Sequence, residues 1–136
     1  MRVFLDANIL VAVGISPRGD CRSLIETAKK FTWISSEHIL TEVRENLGDL
    51  GFDSEEYEQW LRQRMILTSS FVVLPIGLPL DDPEDRQALA EAIGAEADLF
   101  ISYDHDFDAL YGQTIGKTKI LHARGFIQDA LKQGAG

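Results

Sequence analysis

The chain has 136 residues, of which 45% are hydrophobic and 26% are charged, so it can form one domain with its own core and is too apolar for a disordered chain. Its single cysteine, Cys21, excludes an internal disulfide, and no apolar run is long enough for a signal peptide or a membrane span. The formal net charge of −9 argues against nucleic-acid binding, although divalent cations held in an acidic cluster would reverse the charge locally. We therefore expect a soluble, cytoplasmic protein with no membrane partner.

The predicted elements alternate between strands and helices. In chain order we predict a strand at 2–5, a helix at 20–30, a strand at 31–34, helices at 35–47 and 54–68, a strand at 71–74, a helix at 81–94, strands at 99–102 and 119–121, and a helix at 125–131. This alternation indicates an α/β fold with a mostly parallel sheet. We expect residues 1–133 to form a single domain and residues 134–136 to form a short flexible tail.

Capping residues and helix breakers set the predicted boundaries. Asp20 is the predicted N-cap of the first helix. Ser35 and Ser36 offer caps for the second helix, which Gly48 is predicted to stop. The helix at 81–94 begins around Pro83, a first-turn position where the missing N–H of proline has no cost.

Four acids stand where this fold can bring them together. Asp6 and Asp104 each follow a predicted strand, and ligands of open α/β sheets bind at the carboxyl ends of the strands. Asp85 lies in the first turn of one helix and Glu42 midway along another, and helix packing could aim both at the same edge. Clustered carboxylates repel unless a hard cation such as Mg²⁺ or Mn²⁺ joins them. Two such metals can activate a water and stabilise the leaving oxygen of a phosphodiester.

Each acid taken alone also has an ordinary structural interpretation. An aspartate after a strand is often a turn or cap residue, as Asp6 and Asp104 could be. Asp85 could interact with a helix dipole, and Glu42 could be a solvated helix residue. The remaining acids of that region fit the exposed, capped start of a helix: Asp81, Asp82 and Glu84. Only the combination of the four favours a functional site.

That combination resembles the PIN-domain family of metal-dependent ribonucleases. Four segments resemble the family's acid-bearing blocks in the family's order: Val3-Phe4-Leu5-Asp6-Ala7-Asn8-Ile9-Leu10; Ile34-Ser35-Ser36-Glu37-His38-Ile39-Leu40-Thr41-Glu42-Val43; Asp82-Pro83-Glu84-Asp85-Arg86 and on to Ala92; and Ala97-Asp98-Leu99-Phe100-Ile101-Ser102-Tyr103-Asp104-His105-Asp106-Phe107. The last is the most specific, since a strand followed by Ser102, Asp104 and Asp106 at alternate positions is the family's signature there. Residues 121–131 also resemble the family's C-terminal strand and helix. The implied fold is a Rossmann-like α/β/α sandwich.

The resemblance implies a role for each matching residue. Asp6, Glu42, Asp85 and Asp104 would be the catalytic acids that hold the metal, Mg²⁺ or Mn²⁺. Asp106 would be an auxiliary metal acid, directly or through water. Ser102 would orient a carboxylate or a water.

Three neighbours of these acids are less settled. Asn8 would form a hydrogen bond within the site, although an Asx-type turn after the strand fits it equally well. His105 is expected to be exposed, because an extended segment would direct its side chain away from the acids. Arg86 stands where many relatives carry a second acid, so that neighbour of Asp85 has no ligand role here.

The function implied is divalent-metal-dependent endoribonuclease activity that hydrolyses RNA through a metal-activated water. Many family members are toxins held inactive by a small antitoxin, as in the VapC-like group, and homodimers are common. Arg18 and Arg22 would contact RNA, and the helix with Trp60 could supply a dimer surface or pack within its own domain. The alternatives are a catalytically silent scaffold, an RNA-binding or interaction protein, or a haloacid-dehalogenase-type phosphatase. That phosphatase would need an acid where Asn8 stands and a catalytic lysine that the sequence does not supply.

Overall fold

The computed structural model describes residues 1–133, so the tail expected at residues 134–136 lies outside the described part of the chain. Its elements are β1 (Arg2–Leu5), α1 (Ala7–Ile15), α2 (Asp20–Thr27), β2 (Thr32–Ser36), α3 (Glu37–Asp49), α4 (Glu55–Arg64), β3 (Ile66–Thr68), α5 (Pro83–Gly94), β4 (Leu99–Ser102), β5 (Thr114–Ile115), β6 (Thr118–His122) and α6 (Ala123–Lys132), with a 3-10 turn at His105–Phe107. None of these helices is both long enough and apolar enough to cross a bilayer.

The strands form one sheet in the order β3-β2-β1-β4-β6-β5. β1 pairs in parallel with both β2 and β4, and β3 and β6 extend the sheet in parallel on either side. β5 is antiparallel and closes one edge as half of a hairpin with β6. The mostly parallel α/β fold predicted from the sequence is therefore confirmed. Because β1 and β4 are parallel neighbours, the residues that follow them lie at the same edge of the sheet.

Helices cover both faces of the sheet. Val3, Phe4 and Leu5 are consecutive in β1 and each is 0% exposed, and consecutive strand residues point to opposite faces. Phe4 stacks on its cross-strand neighbour Phe100, with 5.8 Å between the ring centroids. This burial on two sides is typical of a parallel sheet between helical layers and matches the expected α/β/α sandwich.

Helix α1 begins directly after Asp6 and was not predicted. The segment from Ala7 to Ile15 contains no charged residue, so it lacks the polar face by which an amphipathic helix is recognised. Asp6 is its N-cap and accepts a hydrogen bond from the backbone N–H of Ala7 at 2.8 Å. The first predicted acid of the site therefore joins a strand to a helix.

Two predicted helix boundaries were wrong. The N-cap of α2 is Gly19, with Asp20 in the first turn, and the helix ends at Thr27 because extended Ala28 leads the chain towards β2. Gly48 lies inside α3, which continues to Asp49. The turn that ends α3 is made by Gly51, whose φ of 85° lies in the left-handed region that glycine adopts without strain.

The edge strand also differs from the prediction. The helix predicted at 54–68 ends at Arg64, and Ile66–Thr68 forms β3 beside β2. The strand predicted at 71–74 was wrong, because this apolar segment runs against α5, where the N–H of Val72 donates to the carbonyl of Ala90 at 3.2 Å. The small β5 was not predicted either.

The ring of Trp60 is held within its own domain. The guanidinium groups of Arg22 and Arg64 lie 4.3 Å and 4.5 Å from its centroid, and Tyr57 stacks on it at 6.0 Å. These contacts favour the interpretation of Trp60 as an intramolecular packing residue over that of a dimer surface.

Replacing each of two helix glycines with alanine tests this packing, because the two substitutions should change the free energy of unfolding in opposite directions. A Cβ at Gly94 would lie 2.7 Å from both the N and the Cα of Phe71, whereas a Cβ at Gly48 would meet nothing within 4 Å. We predict that Gly94→Ala lowers the free energy of unfolding by about 1–3 kcal/mol, because backbone must move. Gly48→Ala should raise it by about 0.5–1 kcal/mol, because alanine loses less entropy in a helix. Urea unfolding measures both, and a stabilising Gly94→Ala would contradict the close approach of Phe71 to α5.

Candidate active site

One cleft of about 590 Å³ collects acids from four separate parts of the fold. They follow β1 and β4, lie on α3, and begin α5. The predicted site acids in this lining are Asp6, Glu42, Asp85, Asp104 and Asp106. Asn8 also lines the cleft, and three acids that were not predicted as site residues join it: Asp49, Asp82 and Glu84.

A hydrogen-bond chain joins the residues that follow β1 to those that follow β4. The hydroxyl of Ser102 donates to Asp6 Oδ2 at 2.8 Å, and its oxygen accepts from Asn8 Nδ2 and from the N–H of Asp104, both at 3.1 Å. The N–H of Tyr103 donates to Asn8 Oδ1 at 3.1 Å. Asn8 therefore bridges two elements from the first turn of α1, and the Asx-turn alternative for it was wrong. Ser102 fixes the orientation of the Asp6 carboxylate.

The 3-10 turn after Asp104 directs Asp106 back to the cleft. Asp104 Oδ1 accepts from the N–H of Asp106 at 2.9 Å, and the Tyr111 hydroxyl donates to the carbonyl of Asp104 at 2.7 Å. His105 points away, with 95% of its side chain exposed. Its exposure was predicted, although the segment is a turn and not an extended strand.

The start of α5 contributes three carboxylates. Asp82 is the N-cap and its Oδ1 accepts from the N–H groups of Glu84 and Asp85, at 2.8 Å and 3.3 Å. Ligand atoms of Asp82, Asp85 and Asp106 lie within 4.8 Å of one another. Asp85 Oδ2 is buried and has no hydrogen-bond partner in the described structure. A cation fits this arrangement, because it would give that oxygen a partner and reduce the repulsion around it.

The pKa values in the cleft reflect crowding and burial. Burial raises the pKa of Asp85 to about 8, with further contributions from the adjacent Asp106 carboxyl group and the charge of Asp104. Burial likewise raises the pKa of Glu42 to about 8, followed by a hydrogen bond with Glu84 and the charges of nearby acids. The pKa of Asp6 is raised by burial, against the lowering effect of the Ser102 and Ala7 hydrogen bonds. Without a cation, burial and crowding therefore favour the protonated forms of Glu42 and Asp85.

A buried polar group behind the cleft was missed by the sequence analysis. Glu91 of α5 is 7% exposed and accepts from the Ser36 hydroxyl at 2.8 Å. His38 of α3 contacts α5, with its Nδ1 3.4 Å from Glu91 Oε1, and its Nε2 lies 3.6 Å from Glu42 Oε1 on its own helix. The signal was present in the sequence, since Glu91 interrupts the apolar stripe of Ala88, Leu89 and Ala92. This group ties the helix that carries Glu42 to the one that carries Asp85.

The two arginines predicted to contact RNA do not line this cleft. Arg18 is exposed in the connection between α1 and α2. Arg22 donates to Glu26 at 3.3 Å and packs on Trp60, and it lines a neighbouring cavity. Helix α1, which was not predicted, separates Asp6 from both arginines along the chain.

The Asp82 and Glu84 positions were predicted as an exposed helix start, which is correct but incomplete. Both are exposed and both line the cleft. Acids at the N-cap and in the first turn of one helix share its N-terminal end, so the spacing of Asp82, Glu84 and Asp85 could have indicated a common direction.

The raised pKa values give the metal-free protein a specific pH dependence. In the folded state Glu42 and Asp85 keep their protons up to about pH 8, whereas in the unfolded state they lose them above their ordinary pKa values. The free energy of unfolding should therefore fall as the pH rises from about 5 to about 8. Chemical unfolding in EDTA at each pH measures this slope. Glu42→Gln and Asp85→Asn should each flatten it, and the exposed acid Asp129 supplies the control variant Asp129→Asn. A wild-type slope of the opposite sign would contradict the crowding.

Comparisons with known proteins agree with this fold. In structure the chain resembles a chain in the crystal structure of VapBC2 from Rickettsia felis bound to a DNA fragment from its promoter. The TM-score is 0.57 at 17% sequence identity, and the match covers 90% of this chain and 98% of the other. At this identity the likeness concerns the fold. No curated protein sequence matches. The sequence pattern of the PIN domain matches residues 2–106, a range that contains all five predicted site acids, and the chain therefore belongs to the PIN-domain family.

Proposed function

We propose that this protein is a divalent-metal-dependent endoribonuclease whose metal, Mg²⁺ or Mn²⁺, is held by Asp6, Glu42, Asp85 and Asp104 with Asp106 as an auxiliary acid. The observation that carries the proposal is the cleft itself, where acids from four parts of the fold meet, the pKa values of Glu42 and Asp85 are raised, and a buried oxygen of Asp85 has no partner among the described residues. Membership of a family whose usual activity is cleavage of RNA supports it.

The lining of the cleft favours hydrolysis without a side-chain nucleophile. Among the described residues, those that line it include no serine, cysteine, histidine, lysine or arginine. When bound, a divalent metal would supply charge neutralisation and an activated water for attack on phosphorus. Ser102 holds the Asp6 carboxylate in one orientation, and Asn8 in turn holds the Ser102 hydroxyl. The Asp6 carboxylate would therefore face a phosphodiester in one fixed orientation.

We also propose that the protein is the toxin of a toxin-antitoxin pair, acting in the cytoplasm. The structural likeness to VapBC2 supports an antitoxin partner. One rim of the acidic cleft is apolar, formed in part by Ile15 and Leu50, which are 43% and 58% exposed. A small protein that covered this rim would exclude RNA from the acids. The homodimer expected from the family stays a prediction, to be measured by light scattering.

Metal binding should be visible as a change in stability. We predict that Mg²⁺ or Mn²⁺ raises the melting temperature, because a ligand of the folded state stabilises it by mass action. Asp6→Asn should shrink this rise, since an amide is a poor ligand for a hard cation. The control is again Asp129→Asn, because Asp129 lines a cavity with Met1 and Phe31 at the amino ends of the strands. Equal metal-induced shifts in Asp6→Asn and Asp129→Asn would count against coordination by Asp6.

Catalysis should depend on the carboxylates more than on the hydroxyl that orients them. With Mg²⁺ or Mn²⁺, the purified protein should cut RNA, and EDTA should abolish the cutting. Asp104→Asn should lower the rate by several orders of magnitude, whereas Ser102→Ala should cost roughly 10–100-fold, as is typical of residues that support a metal ligand. Gel analysis of total cellular RNA, with sequencing of the cut ends, measures the rates, and circular dichroism checks that the variants fold.

Two results would contradict the proposed mechanism. Cleavage that persists in EDTA would show that the acids act without a metal. Full activity of Asp104→Asn would show that this carboxylate is not part of the site.

A further inference from the structure

A second cavity, of about 400 Å³, lies beside the acidic cleft. It is enclosed by α1, the first turns of α2 and α6, and Tyr103, which directly follows β4. Ala12 lines both the cavity and the cleft. A polymer that crosses the cleft can therefore place its next unit in this cavity.

The two depressions differ in charge. Every charged residue that lines the cleft is an acid, whereas the charged residues of the cavity are Arg22, Arg124 and Asp20. On a chain with a net charge of −9, a depression with an excess of cations beside the acids is where a polyanion would be held. The guanidinium of Arg22 is occupied by Glu26 and Trp60, so it supplies positive potential more than a direct contact.

Arg124 has its guanidinium free for a ligand. Within residues 1–133, its side chain forms no hydrogen bond or salt bridge, and its backbone N–H is fixed by donation to Nδ1 of His122 at 3.2 Å. Its position in the first turn of α6 places it at the cavity. An unpaired arginine at the wall of a cavity suits a phosphate, which it can bind through two N–H groups.

Tyr103 connects the cavity to the acids. Its backbone N–H donates to Asn8, which also donates to Ser102, so the backbone of Tyr103 is fixed relative to Asp6. The ring is 36% exposed and packs edge-on against His122, with 5.7 Å between the centroids. Burial raises the pKa of Tyr103 and the charge of Arg124 opposes this shift, as expected for neighbouring side chains. Its hydroxyl has no protein partner in the part of the chain that the structure describes.

We propose that this cavity binds the nucleotide of the RNA substrate adjacent to the one cleaved in the acidic cleft, with Arg124 on a phosphate and Tyr103 stacked against the base. This inference rests on the proposed function and adds a substrate subsite to it. An aromatic face beside a cationic group is the usual chemistry for holding single-stranded nucleic acid. The single acid of the cavity, Asp20, limits the excess of positive charge to about one phosphate.

Binding of a fluorescein-labelled single-stranded RNA of mixed sequence tests the subsite. Fluorescence anisotropy is measured in Ca²⁺, which neutralises the acids, over a range of salt concentrations. Arg124→Ala should weaken binding about tenfold and reduce the slope of log affinity against log salt by about 0.7, the contribution of one phosphate contact on a single strand. Lys132→Ala removes the same charge from the other end of α6 and should leave both quantities unchanged.

The stacking contact has its own pair of variants. Tyr103→Leu should weaken binding about tenfold, whereas Tyr103→Phe keeps the ring and should bind as the wild type does. In the cleavage assay with Mg²⁺, Arg124→Ala and Tyr103→Leu should raise KM with little change in kcat, because both residues hold substrate and neither touches the reacting atoms.

The outcomes separate this subsite from the nuclease function. If the wild type cuts RNA but Arg124→Ala behaves as Lys132→Ala does, or Tyr103→Leu behaves as Tyr103→Phe does, the subsite is wrong and the nuclease stands. If the wild type neither binds nor cuts RNA, the proposed function fails and the subsite fails with it.

Discussion

Carboxylates that share a half-buried cleft repel one another, and hydrogen bonds from backbone N–H groups reduce that repulsion in this protein. Three of the cleft acids are also N-caps: Asp6 for α1, Asp82 for α5 and Asp104 for the 3-10 turn. Each accepts hydrogen bonds from N–H groups that would otherwise lack a partner, and the positive end of a helix dipole faces a negative side chain. The first turns of two helices and a 3-10 turn therefore converge on the acids and partly compensate their charge. A bound cation would compensate the remaining negative charge.

The structural and the functional interpretations of these acids are not alternatives. Asp6 and Asp104 are cap residues after strands, as an isolated aspartate in that position often is, and they also line the cleft. The parallel pairing of β1 with β4 converts two local caps into neighbours, and the Ser102 hydroxyl links them. The group of Ser36, His38 and Glu91 likewise links the two helices that carry Glu42 and Asp85. Contacts outside the cleft therefore stabilise the arrangement of the acids in addition to the hydrogen bonds of Ser102.

Much of this arrangement could be predicted from the sequence, because it depends on local signals. The strands at 2–5 and 99–102, the helix that begins at Pro83 and the positions of Asp6 and Asp104 after their strands follow from local pattern and capping. Glu42 and Asp85 were assigned from the resemblance to the PIN-domain family. What could not be predicted depends on tertiary contacts. Helix α1 has no polar face to reveal it, and the choice of Ile66–Thr68 over the equally apolar segment at 71–74 as the edge strand depends on pairing with β2 and on the close approach of Phe71 to Gly94. The prediction that Arg18 and Arg22 lie at the site was wrong for the same reason, because the unpredicted helix α1 stands between Asp6 and both arginines in the chain.

The charge distribution is compatible with the RNA substrate that we propose, despite the net charge of −9. Eight of the 22 acids line one cleft, where bound cations would neutralise them, while Arg124, unpaired within residues 1–133, lines the adjoining cavity. Overall charge is therefore a poor guide to the partner of this chain, and the local arrangement is a better one.

The claim on which the rest depends is that these acids form one divalent-metal site. A crystal structure determined with saturating Mn²⁺ tests it directly through the anomalous signal of the metal. We expect at least one anomalous peak within about 2.6 Å of carboxylate oxygens from Asp85 and from Asp6 or Asp104. If two peaks are present, they should lie roughly 3.5–4 Å apart. A cleft without any peak, or manganese bound only by acids elsewhere on the surface, would contradict the account.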